Sequence, residues 1–299
     1  MRHAYLIMAH GNFPILEKQI RFLDSPNADL YIHIDAKVRN FDFDAFRSLP
    51  RHSRLIFTDR IPVIWGHHSQ IECELLLLKA AVPGQYDYYH LLSGVDVPVK
   101  TRSYIENYFA GHSGVNFLHF HNDPINREHS DRARYYYPLQ PLDIHNRIIR
   151  LGLRRLTVLV QRPFVDRTKA LEPGIVLQKG ANWFSITHEL AAYVLSKEDW
   201  IREHFRSTFC ADEVFLQTLV ASSDFKNTLP DDYHGLDHKN CLRYVDWRRG
   251  KPYTFRPEDY EELIHTGPEY LFARKFDYRA SPELVDRLFE HFSREEDAI

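Results

Sequence analysis

The clearest chemical candidate in the chain is a pair of adjacent carboxylates, Asp212 and Glu213, immediately ahead of Val214-Phe215-Leu216. Acids collect at helix starts because the free backbone N–H groups there favour negative charge, so a helix cap is the plain reading. A cap needs only one carboxylate. The other can face a cleft, and a carboxylate is a common general base for a sugar hydroxyl. Two basic clusters, Arg248-Arg249-Gly250-Lys251 and Arg274-Lys275, carry the complementary charge. Such clusters are usually just solvated. If they converge, they can neutralise a diphosphate leaving group without a metal.

Two other groups have ligand chemistry but poor spacing. His67, His68, Glu72 and Glu74 lie close together, yet on a helix starting at Ser69 only His68 and Glu72 share a face, at i and i+4. With no HExxH pattern and no second cluster, structural or substrate-contacting roles are expected. Asp42-Phe43-Asp44 spells an Asp-x-Asp, but in a polar connection leading into a short helix. It reads as turn and cap chemistry. Phosphate-loop, dinucleotide and serine-hydrolase signatures are absent.

The elements that must position these residues alternate. Ala4–Met8, Asp29–Ile34, Arg54–Phe57 and Tyr88–Leu92 read as buried strands, with helices over Phe13–Phe22 and Ser69–Ala81. This spacing predicts an α/β fold with a mostly parallel sheet covered on both faces. Ligands of such sheets sit beyond the carboxyl ends of the strands, where Asp35 and Asp96 fall. The pattern breaks down between Phe117 and about Lys169. It returns with a strand at Asn182–Ile186 and helices at Glu189–Leu195, Asp212–Ser222 and Pro282–Phe292. One domain over 1–299, with an irregular basic insertion at about 123–175, is the expected organisation.

Composition bounds the class. The 299 residues are 44% hydrophobic and 26% charged, which argues against disorder, and the net charge of −3 gives no field for nucleic acid. The three cysteines are too few for a disulfide framework, and no apolar run is long enough to span a membrane. The short apolar run near the N-terminus falls below signal-peptide length. A cytoplasmic protein is expected. The stretch from His145 to Lys169 holds six Arg and one Lys against one Asp, interleaved with aliphatics. That pattern suits peripheral contact with an anionic membrane on its inner face.

In order along the chain, AYLIMAHGNFPILEKQI, YIHIDAK, WGHHSQIECELLLLKA, YDYYHLLSGVDVPVKT, KGANWFSIT, FCADEVFLQTLVASS, LRYVDW and LFARKFD resemble the core-2/I-branching β-1,6-N-acetylglucosaminyltransferase family. That family also contains peptide O-xylosyltransferases. The match covers roughly residues 3–122 and 176–278. The resemblance implies a single Rossmann-like nucleotide-sugar transferase fold (GT-A type) that inverts the sugar and binds no metal. It implies Glu213 as general base, Lys275 as a diphosphate-binding cation and Trp247 stacking on the acceptor sugar. Asp35 and Asp96 match strand-end acids near the nucleotide. The family's second cation falls in a region that is shorter here, where Arg249 is the first choice and Arg248 and Lys251 are the alternatives. The expected donor is a UDP-sugar, with N-acetylglucosamine or xylose as the sugar. The expected acceptor is a glycan or lipid-linked glycan, on a bacterial surface polymer. The rival from another class is a glycan- or nucleotide-binding protein that has lost catalysis.

Overall fold

The computed structural model describes residues 1–121, 127–141, 147–231 and 238–298. Four strands are parallel neighbours: β1 (His3–Ala9), β2 (Ala28–Ile34), β3 (Leu55–Phe57) and β4 (Tyr88–Ser93). β2 and β4 are buried at every position, which explains their largely apolar character, with Asp29, His33, His90 and Ser93 as buried polar exceptions. Before the last sheet strand come β5 (Val97–Pro98) and β6 (Phe117–Leu118). β7 (Phe184–Thr187) runs antiparallel to both β4 and β6, giving the order β3-β2-β1-β4-β7-β6. A second sheet, β5-β9-β8, adds β8 (Arg243–Val245) and β9 (Phe272–Arg274).

Helices cover both faces. On one lie α1 (Phe13–Leu23), α4 (Arg102–Gly111) and α11 (Pro282–Asp297); α2 (Phe43–Arg47) and α10 (Tyr260–Ile264) are short. On the other lie α3 (Ser69–Ala81), α7 (His188–Ser196), α8 (Glu198–Phe205) and α9 (Phe215–Ala221). The basic stretch expected to be irregular contains two helices, α5 (Arg127–Arg134) and α6 (Arg147–Gln161). The mostly parallel α/β fold expected from the sequence is the one observed.

The chain runs outward from β1 to β3 and then crosses to β4 on the other side of β1. The carboxyl ends of β1 and β4 therefore form the crevice where such sheets bind ligands. Gly94 lets the two ends close up: a Cβ there would stand 2.9 Å from the Ala9 Cβ. Its N–H donates to the Met8 carbonyl at 2.9 Å.

The helix expected over Asp212–Ser222 is not continuous. A 3-10 turn spans Ala211–Glu213, Val214 leaves helical geometry at φ −127°, and α9 begins only at Phe215. Cys210 ahead of the turn is left-handed, at φ +48°. The break swings the two carboxylates away from the helix end that they were expected to cap.

Arg243 joins the two sheets. β4 and β7 are paired over Tyr88–His90 and Ser185–Thr187 and then part. Beyond that point the fully buried Arg243 guanidinium donates to Leu91 O at 3.0 Å and Phe184 O at 3.1 Å. It also donates to Cys241 O at 2.6 Å and lies 4.9 Å from the Phe272 ring. Replacing Arg243 with Met should leave these carbonyls without donors and cost about 3 kcal/mol, net of the buried charge removed. Urea unfolding measures this; a loss under about 1 kcal/mol would mean that the guanidinium is dispensable.

Candidate active site

The broken helix gives the two carboxylates opposite environments. Asp212 is buried, accepts from Gln70 Nε2 at 2.8 Å, and leaves Oδ1 without a partner. Burial, and then the neighbouring Glu213 charge, push its pKa well above the ordinary carboxylate range. Glu74 on α3 is fully enclosed and pushed up likewise, by burial and then by Asp212. The cap expected of Asp212 is corrected: neither carboxylate makes a side-chain cap on α9.

Glu213 faces the other way, with a third of its side chain exposed. Its Oε2 accepts from Arg132 Nη1 at 2.7 Å and lies 3.4 Å from Lys179 Nζ. Among the described residues, Oε1 has no partner. The backbone is pinned as well, since Gly180 N–H donates to the Glu213 carbonyl at 2.9 Å. A Cβ on Gly180 would lie 1.6 Å from the His119 carbonyl oxygen, so only glycine allows this crossing. Sequence reasoning assigned no role to Lys179 or Arg132. Lys179 opens the KGANWFSIT segment and carried a signal only by adjacency. Arg132 lies in the stretch with least resemblance.

Trp247 stands half-exposed. Its indole N–H donates to His238 Nε2 at 3.0 Å. Burial, followed by the charge of neighbouring groups that include His119, Arg274 and Lys179, holds His238 neutral, with its pKa down to about 2. It can therefore accept, and it stacks on His119 at 4.5 Å. Arg274 lies flat on Trp183 at 4.0 Å, with Nε 3.6 Å from Asp96 Oδ1.

The acids at the strand ends divide. Asp35, at the end of β2, accepts from Lys37 N at 2.8 Å and lines a cleft of about 430 Å³ with His10, Lys37, Arg39 and Asn40. Asp96 is fully buried and accepts from Ser93 N at 2.9 Å and Ser93 Oγ at 2.7 Å. It closes its own turn and neighbours Arg274 from a fully buried position. Lys275 is exposed, and among the described residues no acid reaches it. The segment that follows it is tied to the connections after both crevice strands: Phe276 N donates to Val95 O at 3.3 Å and Tyr278 N to Asn12 Oδ1 at 3.0 Å.

Arg249, the first choice for the second cation, is already surrounded. It pairs with Asp246, with Asp259 at 2.6 Å and with Glu262 at 2.8 Å, and stacks 4.4 Å from the Tyr253 ring. Three acids match its charge. The alternatives Arg248 and Lys251 are exposed and have no ion-pair partner among the described residues.

The other ligand-type groups are occupied. Asp42 caps α2 by accepting from Ala45 N at 3.0 Å, and Asp44 pairs with Arg47 at 3.0 Å, as turn and cap chemistry predicts. Glu72 is held by His68 at 2.8 Å and by both edges of Arg202 at 2.9 and 2.8 Å.

The burial of Asp212 has a measurable consequence. A carboxyl whose folded pKa is raised adds its full stability below the ordinary range near pH ~4, and that stability is lost as pH rises toward neutrality. Asp212→Asn cannot ionise. It should therefore gain stability relative to the parent across that window, measured by urea unfolding at a series of pH values. A uniform loss of about 1 kcal/mol at every pH would instead be the mark of a cap.

The model of the family described as core-2/I-branching enzyme matches residues 3–265. Mouse xylosyltransferase 2 is 25% identical over 97% of this chain and 34% of its own length. Rat xylosyltransferase 1 is 23% identical over 96% of this chain and 35% of its own length. The chain thus spans about a third of the length of these relatives. Apo mouse xyloside xylosyltransferase 1 superposes over 91% of this chain and 97% of its own, at 12% identity and a TM-score of 0.35. So loose a superposition decides nothing. The family match extends from β1 through α10 and takes in both the carboxylate turn and Trp247, and the chain belongs to the core-2/I-branching enzyme family of glycosyltransferases.

Proposed function

We propose that the chain transfers a sugar from a UDP-sugar to a hydroxyl of a glycan or lipid-linked glycan acceptor, with inversion and without a divalent metal. Glu213 is the general base. One observation carries this reading: of two adjacent carboxylates, one is sealed and the other is open, with Oε2 anchored by cations and Oε1 without a partner among the described residues. An anchored oxygen fixes the rotamer while the open one takes the proton. The acceptor oxygen attacks C1 of the sugar, its proton passes to Glu213 Oε1, and UDP departs from the opposite face. Trp247, presenting an aromatic face, stacks on the acceptor sugar.

The charge that develops on departing UDP is met by fixed cations. Lys275 supplies one from beside the crevice, and Arg248 or Lys251 supplies the second in place of Arg249, which is committed to Asp246, Asp259 and Glu262. The nucleotide lies along the carboxyl ends of β1 and β2, by Asp35. The acids with chelating patterns support a reading without metal, because Asp42 and Asp44 are committed to α2 and Arg47. The proposed setting is the cytosol, and Cys73, Cys210 and Cys241 are all unpaired and buried.

N-acetylglucosamine, in β-linkage, is the proposed sugar. Xylose is the second reading, favoured by the activity named in the matched relatives. Donor hydrolysis across a panel of UDP-sugars separates the two, and UDP binding without turnover of any donor would favour a non-catalytic protein.

Glu213→Gln should lower turnover by roughly 10²–10⁴-fold while UDP affinity is kept, measured by initial rates and calorimetry. Near-normal turnover would remove Glu213 from the chemistry. Lys275→Ala should weaken UDP binding and slow transfer further, since leaving-group charge is greatest in the transition state. Turnover should persist in excess EDTA. Strict dependence on added Mn²⁺ would place the chain in a different mechanistic group.

A further inference from the structure

The outward face of α6 is apolar where a surface helix is ordinarily polar. Leu156 is 55% exposed, Leu159 61% and Val160 64%; Phe164, just past the helix end, is 87% exposed. Leu156 and Val160 stand one turn apart, with Leu159 beside them. Arg155 and Arg162 are exposed along one edge of this stripe. The opposite side of the helix is anchored. Gln161 accepts from Tyr136 N at 2.8 Å and donates to Tyr136 O at 2.9 Å, while the Arg154 guanidinium lies 4.5 Å from the Phe209 ring.

We propose that α6 and the residues just after it dock on an anionic lipid surface, with the apolar stripe in the acyl boundary and the arginines at the headgroups. Charge selects this occupant. The stretch from His145 to Lys169 holds seven cations against one acid in a chain whose net charge is −3, and of these Arg155, Arg162 and Lys169 are exposed. A second copy docking through the same face would set these cations against each other across a two-fold contact. An anionic bilayer satisfies both the apolar stripe and its basic rim. At 15 residues α6 is too short to span a bilayer and suits lying in its plane. The proposal is independent of which sugar the enzyme transfers.

The test is co-sedimentation of the full chain with vesicles of phosphatidylcholine, alone or mixed with phosphatidylglycerol. Pelleting is expected with the anionic vesicles at low salt, with loss at high salt and little pelleting on phosphatidylcholine alone. Leu156→Asp/Val160→Asp should abolish pelleting, and Arg155→Glu/Arg162→Glu should weaken it by roughly tenfold or more. Donor hydrolysis in solution should be unchanged in both variants, which reads folding and chemistry apart from docking. No pelleting of the parent on anionic vesicles at low salt overturns the proposal. So does pelleting that is indifferent to both variants, or a dimer in sedimentation velocity that Leu156→Asp/Val160→Asp dissolves while vesicles are ignored.

Discussion

The site exists only if two sheets hold a fixed angle, and that angle depends on Arg243. Strands β4 and β7 must part for the chain to reach the crevice. A parted pair leaves backbone carbonyls in the core, where each needs a donor. A fully buried guanidinium, planar and many-donored, spans Leu91, Phe184 and Cys241 at once. Because Arg243 begins β8, the same side chain seats the small sheet against the large one. Trp247 follows two residues after β8, and Lys275 follows β9 directly. The aromatic and the cation proposed to hold the two substrates thus take their positions from one buried charge.

A second division of environment gives adjacent acids unlike roles. The left-handed Cys210 and the break at Val214 turn Asp212 inward, toward Gln70 and Glu74, and Glu213 outward, between Arg132 and Lys179. Pairs of carboxylates split in this way are a recurrent means of keeping one neutral and one ionised in the same few ångströms. Asp212 here is a buried group under strain of solvation, and what it brings is position. Its contact with Gln70 ties the turn to α3.

Much of this was legible in the residues. β2 and β4 announced themselves because burial on both faces favours apolar side chains, and Ser69–Ala81 was bounded correctly because Pro83 and Gly84 follow it. Asp42 was recognised as a cap because caps are local. What stayed hidden was tertiary. The periodicity of Val214–Val220 looks helical back to Asp212, and only the packing around Cys210 breaks it. Arg249 read as an available cation because Asp259 and Glu262 lie ten and thirteen residues further on, and the fold alone brings them to it. Lys179 and Arg132 have no local pattern at all; each matters through Glu213, at sequence separations of 34 and 81 residues.

The basic insertion connects the carboxylate to the proposed lipid face through the Phe209 ring. Arg132 of α5 and Arg154 of α6 both lie over Phe209, at 5.6 and 4.5 Å, and Arg132 continues to Glu213 Oε2. A path of packed groups is not in itself a switch. A switch needs an element with two arrangements whose balance each site can bias. The links here argue for one arrangement, since α6 is clamped at Gln161 and Phe209 also packs against Trp65 and Tyr137. A rigid connection of this kind transmits orientation. Docking α6 on a surface would set the angle at which the open oxygen of Glu213 meets an acceptor held at that surface, without altering the chemistry at the carboxylate.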